Sequence, residues 1–91
     1  MNTIEKLDKY KHYCRFTGLC EDSVKSYTSW MNNVAEVVGK DITDKILKNT
    51  ADVENYKNKL INIGKGKKSV SDHVSAMKKY VEMVNVIKDN S

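Results

Sequence analysis

An all-α fold is the expectation for this chain of 91 residues, on three observations. No segment alternates apolar and polar residues as a half-buried strand would. Several stretches repeat apolar residues every three to four positions, and glycines stand where those stretches end, in a chain without proline. The length suits one domain with a single core, built from four to five helices.

The first helix is expected from about Thr3 to Phe16, with Ile4, Leu7, Tyr10 and Cys14 on one face. Gly18 follows where a left-handed residue would stop it. A second helix is expected from Glu21 or Asp22, whose charges suit a helix N-terminus. Val24, Tyr27, Met31, Val34 and Val38 form its apolar stripe, and Gly39 closes it. Lys40 to Lys48 reads as a short helical turn with Ile42, Ile46 and Leu47 turned inward. Asn49 or Thr50 should cap a third helix that buries Val53, Tyr56, Leu60 and Ile61 and ends at Gly64. The last helix is expected after Ser69, with Asp72 completing a capping box. Its stripe is Val70, Val74, Met77, Val81, Val84 and Ile87, and the apolar Tyr80 and Met83 imply cover on more than one side.

Two stretches resemble each other, Ser23-Val24-Lys25-Ser26-Tyr27-Thr28-Ser29-Trp30-Met31 and Ser69-Val70-Ser71-Asp72-His73-Val74-Ser75-Ala76-Met77. They stay in step as far as Glu36 with Glu82 and Val38 with Val84. Serine caps and helical spacing recur widely, so the likeness is also open to a reading without duplication. Both outer faces favour Ser, Lys and Asn, short polar groups between lysines that let a backbone approach phosphates. On the second helix these are Lys25, Ser26, Ser29, Asn32 and Asn33; on the last they are Ser71, Ser75, Lys78 and Lys79. Asn can pair with adenine, and Lys can reach guanine or phosphate. An ordinary solvated face is the alternative, although Ser and Asn are poor choices for helix stability alone.

Net charge is +4 and uneven: residues 1–20 carry +2, residues 20–39 carry −2 and residues 65–91 carry +3. Such a balance suits a polyanion partner. The run Gly64-Lys65-Gly66-Lys67-Lys68-Ser69 is no nucleotide-binding P-loop, since its glycine spacing is wrong and a helix precedes it. It leads three lysines into a helix N-terminus, which suits one phosphate; it also reads as a plain solvated connection.

Enzymatic chemistry finds no support. His12 and His73 have no nucleophile beside them in a recognisable motif, and the acids sit near helix starts. His73 aligns with Tyr27 and reads as a half-buried packing residue. Cys14 and Cys20 read as reduced thiols, and with His12 they offer three ligands without a fourth at zinc spacing. No metal, cofactor or small-molecule substrate is implied. No apolar run reaches membrane-span length, and no leader pattern opens the chain, so a cytoplasmic protein is expected.

The segment Gly18-Leu19-Cys20-Glu21-Asp22-Ser23-Val24-Lys25-Ser26-Tyr27 resembles the Leu-Ser-x-x-Thr-Val-x-x-Tyr opening of the core-binding domain of phage integrases and other tyrosine recombinases. Lys68-Ser69-Val70-Ser71-Asp72-His73-Val74-Ser75-Ala76-Met77-Lys78-Lys79-Tyr80 resembles that domain's closing helices, and the likeness spans nearly the whole chain. The resemblance implies two crossed helical hairpins gripping double-stranded DNA from one side. Lys25, Ser26, Ser29, Lys68, Ser69, Ser71, Ser75 and Lys78 would face the DNA. Cys20 departs from the usual capping Ser or Thr, and Lys78 from the usual arginine. The family's catalytic residues lie in a further domain, so residues 1–91 would be a fragment or module serving a recombinase, nuclease or replication initiator. A homodimer or higher assembly on repeated sites is compatible with this. The alternative is a small phage-type inhibitor or protein-interaction module using an exposed Tyr/Lys face. Single-stranded nucleic acid would instead require Tyr10, Tyr13 and Trp30 to be exposed as stacking platforms.

Overall fold

Four helices make up the computed structural model, which describes the backbone of residues 3–89 and the side chains of residues 3–86. They are α1 (Leu7–Phe16), α2 (Glu21–Val38), α3 (Thr50–Asn62) and α4 (Lys67–Asp89). The all-α expectation holds, with local departures at the starts of the first and last helices and in the connection between α2 and α3.

α1 begins at Leu7 rather than Thr3, because the residues before it are extended. Glu5 N–H donates to the Ile42 carbonyl at 2.7 Å, and Ile42 N–H donates to the Thr3 carbonyl at 2.9 Å, a single parallel bridge of Ile4 with Ile42. Lys6, left-handed at φ 61°, then turns the chain into the helix. Its ammonium joins Glu5 at 2.9 Å and Asp44 at 3.0 Å, which tethers this turn to the α2–α3 connection. The bridge buries Ile4 and Ile42 together while pairing their backbone groups, so a core residue is gained without helix. Accordingly, Lys40–Lys48 is not helical; only one turn survives, where Ile46 and Leu47 N–H both reach the Thr43 carbonyl. Ile42 and Leu47 are buried as expected, and Ile46 is half-buried.

Gly18 and Gly39 both have positive φ, 99° and 74°, where a Cβ would be strained. After Gly18, Leu19 N–H closes back on the Cys14 carbonyl at 3.1 Å, ending α1 in the manner of a left-handed stop. α3 is capped by Asn49, whose side chain accepts from Asp52 N–H at 3.0 Å. Asp52 answers by accepting from Lys48 N–H at 3.1 Å.

α4 starts two residues before the expected Ser69 cap. Val70 N–H bonds the Gly66 carbonyl at 2.9 Å, so Gly66 precedes the first turn and Lys67, Lys68 and Ser69 form it. Ser69 is therefore no cap and its box with Asp72 does not form. Ser23 likewise lies inside α2, with Cys20 in the cap position. Both serines are nonetheless third in their helices, and the parallel continues in the core: Val24 with Val70 and Met31 with Met77 are all buried.

α2 and α4 pack on each other in the middle of the molecule. α1 and α3 lie on either side, each touching both central helices and, among the described residues, not each other. Consecutive helices thus pair as α1–α2 and α3–α4. The shared core contains Met31, Val34, Ala35, Met77 and Tyr80, and Tyr80 and Met83 give α4 the broad buried side expected of it. Burying a methionine of this kind stabilises the fold by roughly 1.5–3 kcal/mol. Ile61, expected inside, is 50% exposed instead, and Ile87 lies outside the described side chains.

Candidate nucleic-acid interface

The connection between α3 and α4 is only four residues long, Ile63 to Gly66, and Gly64 at φ 90° reverses it. Lysines accumulate here for a structural reason: Lys65 leaves the turn while Lys67 and Lys68 occupy the first turn of α4. No acid offsets the positive end of that helix, and Gly66 has no side chain with which to cap it. Lys67 and Lys68 are exposed and Lys65 is half-buried; none is held in an ion pair among the described residues. Lys57 reaches the same place from α3, its contact with Glu54 being a loose 3.9 Å. Together Lys57, Lys65, Lys67 and Ser71 rim a cleft of about 370 Å³ floored by Ile61, Val70 and Val74. This arrangement offers cationic heads and unpaired helical N–H groups to an anion lying across the α3–α4 edge.

On α2, Lys25, Ser26, Ser29, Asn32 and Asn33 are all exposed, so the helical phase read from the stripe is right. Lys25, Ser29 and Asn32 meet Lys11 and Arg15 of α1 along a cleft of about 320 Å³. Electrostatics there are less favourable to phosphate. Arg15 is engaged by Glu21 through two contacts, at 2.6 and 3.2 Å, which hold the Glu21 carboxyl below its ordinary range. Asp22 and Glu36 are exposed on the same helix. α2 therefore presents donors and acceptors suited to base edges, with little positive charge of its own to anchor them.

Along α4, Ser71, Ser75 and Lys78 are exposed, while Ser69 and Lys79 are half-buried. Lys79 is already occupied, 3.4 Å from Glu82 and 5.9 Å from the centre of the Tyr13 ring. The Ser69 carbonyl accepts from His73 Nδ1 at 2.6 Å, which fixes the proton on Nδ1. His73 is more buried than expected, 2% exposed, with its ring centre 6.4 Å from that of Trp30; its Nε2 has no partner among the described residues.

Since α2 and α4 join through their buried sides, their polar faces point away from each other. The residues singled out from the sequence consequently do not share one surface: Lys25, Ser29 and Asn32 of α2 lie beside α1, Lys65, Lys67 and Ser71 line the cleft beside α3, and Lys79 lies against Tyr13 of α1. Lys57, Lys11 and Arg15 complete these surfaces and were not among them. A signal for Lys57 existed in the four-residue spacing Lys57, Ile61, Lys65, which lines one side of α3 and its exit. Assigning Ile61 to the core concealed it.

Most of the described aromatic residues are engaged in packing, and Phe16, 81% exposed, is the exception. Tyr10 is fully buried, the Tyr27 and Trp30 rings pack with centres 5.3 Å apart and planes tilted by 44°, and the Lys79 ammonium lies 5.9 Å from the centre of the Tyr13 ring. Cys14 is buried and Cys20 exposed, both as free thiols. Burial pushes the Cys14 thiol up, whereas the hydrogen bond with Ser23 brings Cys20 down. No three His, Cys, Asp or Glu side chains converge among the described residues. No helix among them is long and apolar enough to cross a membrane.

The chain matches no protein-family model, no curated protein and no solved structure.

Proposed function

We propose that this chain is a double-stranded DNA-binding module that positions a DNA-processing protein, of the recombinase, nuclease or replication-initiator kind, on its site. The observation that carries the reading is the lysine edge. Lys57, Lys65 and Lys67 line one cleft, and Lys68 is exposed in the same first turn of α4, which carries no acid. A phosphate backbone presents a row of anions able to neutralise several such lysines at once. Duplex is favoured over single strand because the three rings that would have to serve as stacking platforms are engaged: Tyr10 is fully buried, Trp30 packs against Tyr27, and Lys79 lies over Tyr13. The resemblance of Gly18–Tyr27 and Lys68–Tyr80 to integrase core-binding domains supports the same partner. α2 then serves as the candidate reader and the lysine edge as the anchor.

The test is binding to random duplex across a salt series. Neutralising about four to six phosphates gives a log-affinity slope against log salt of about −4 to −5. Salt-independent binding, or none at low salt, rejects the proposal.

One observation favours a protein-interaction module instead: Phe16 stands 81% exposed beside an apolar groove. Contacts of that kind depend weakly on salt, so the same series separates the two readings.

A further inference from the structure

We propose that the cleft between α1 and α2 receives a backbone phosphate of duplex DNA, which displaces the Glu21 carboxylate from Arg15. The inference rests on the reading of this chain as a duplex-binding module and adds a second anchoring site to it. The cleft holds about 320 Å³. Lys11 and Arg15 of α1 and Lys25 of α2 bring three cations to it, against Glu21, the one acid among its described lining residues. Ser29 and Asn32 line it as well, a hydroxyl and an amide beside the charges.

The turn at Gly18 brings the end of α1 against the start of α2, so Arg15 meets Glu21. Arg15 Nε donates to one Glu21 oxygen at 2.6 Å, and a terminal guanidinium nitrogen donates to the other at 3.2 Å. A guanidinium grips phosphate with the same two-pronged geometry, so Glu21 occupies the place of the ligand. Both side chains are exposed, and a surface pair of this kind contributes little to hold itself against a competing anion. Lys11 and Lys25 form no ion pair among the described residues and stand ready for that anion. A phosphate held here sets the position of the duplex against Ser29 and Asn32, the anchoring that α2 lacks by itself. The exchange is even in counterions: one leaves the DNA as Arg15 takes the phosphate, and one gathers at the freed carboxylate. Without the Glu21 charge, a counterion is released and none is taken up.

The experiment is binding of random duplex by the full chain across a salt series, with helical circular dichroism of every variant. Glu21→Gln should bind more tightly than the wild type and steepen the slope of log affinity against log salt by about one unit. Adding Arg15→Gln to Glu21→Gln should take that unit away. Glu36→Gln deletes an exposed acid on α2 outside the cleft and should keep the wild-type slope. A wild type that binds no duplex at low salt rejects the functional reading, and this proposal with it. A wild type that binds, with a Glu21→Gln variant of unchanged slope, overturns the cleft site alone. So does a double variant that keeps the added unit, or a Glu36→Gln variant that gains it. Should Glu21→Gln lose its helicity, Lys11→Gln decides: native helicity with a slope shallower by about one unit supports the proposal, and an unchanged slope overturns it.

Discussion

Met31 and Ser29 stand two positions apart on α2 and meet opposite surroundings. Met31 is fully buried in the contact with α4, whereas Ser29 is exposed along the α1–α2 cleft. Met31→Ala leaves a cavity among side chains that relax only in part, and should cost roughly 2–4 kcal/mol. Ser29→Ala removes a hydroxyl in contact with water and should change stability by less than about 0.5 kcal/mol. Chemical denaturation of the two variants checks both values. Equal losses would mean that the buried side of α2 has been misassigned. Ile61 shows how one residue misleads at this scale: its spacing from Val53 and Leu60 suits the core, yet it lies at the margin where α3 turns from core to cleft.

At the scale of elements, the proposed DNA binding assigns different parts to the α3–α4 connection and to α2. Lys65, Lys67 and Lys68 have flexible stems beside glycines, able to follow a phosphate but not to hold the fixed geometry of base reading. Replacing all three with alanine should weaken binding to every duplex about equally and reduce the salt slope by about one unit per lost contact. Asn32 and Asn33 stand on a rigid helix, where an amide can pair with adenine. Replacing the one that does so should cost about 1–3 kcal/mol on a preferred site and much less on random DNA. Competition between specific and random duplex at fixed salt measures both effects. Loss of sequence preference in the lysine variant, with preference retained in the asparagine variants, would move the reading role from α2 to Ser71, Ser75 and Lys78 on α4.

The molecule as a whole is closed by two tyrosines whose hydroxyls reach far along the chain. Tyr10 OH of α1 donates to the Ala76 carbonyl of α4 at 2.9 Å, and Tyr80 OH of α4 donates to the Glu5 carbonyl at 3.0 Å. Their ring centres are 5.8 Å apart. Burial raises Tyr80 from an ordinary value of 10.0 to about 12, and burial pushes Tyr10 up as well. Below pH 10 the tyrosines are neutral in both folded and unfolded chains, so this contribution to stability is fully present. From pH 10 upward the unfolded chain ionises first, and stability should fall as pH rises towards and past 12. An alkaline titration followed by helical circular dichroism and tyrosinate absorbance should show ionisation of these two side chains together with helix loss. Their ionisation at the ordinary value with helices intact would show that the clasp is open to solvent.

The helices and their inward faces were determined by local sequence: apolar spacing set the stripe of α2, Gly18, Gly39 and Gly64 set three ends, and Asn49 set a start. Local energetics suffice there, because each feature acts within one or two turns. Exposure of Lys25, Ser29, Asn32 and Lys68 was legible for the same reason. Three matters were decided only in the tertiary structure. Ile4 left the first helix because a partner 38 residues away, Ile42, offered both burial and backbone hydrogen bonds. Lys57 joined the lysine edge because α3 packs against α4, and the polar faces of α2 and α4 were parted because their apolar sides meet. Helical periodicity fixes which way a side chain points from its own axis; which residues become neighbours depends on how the axes pack.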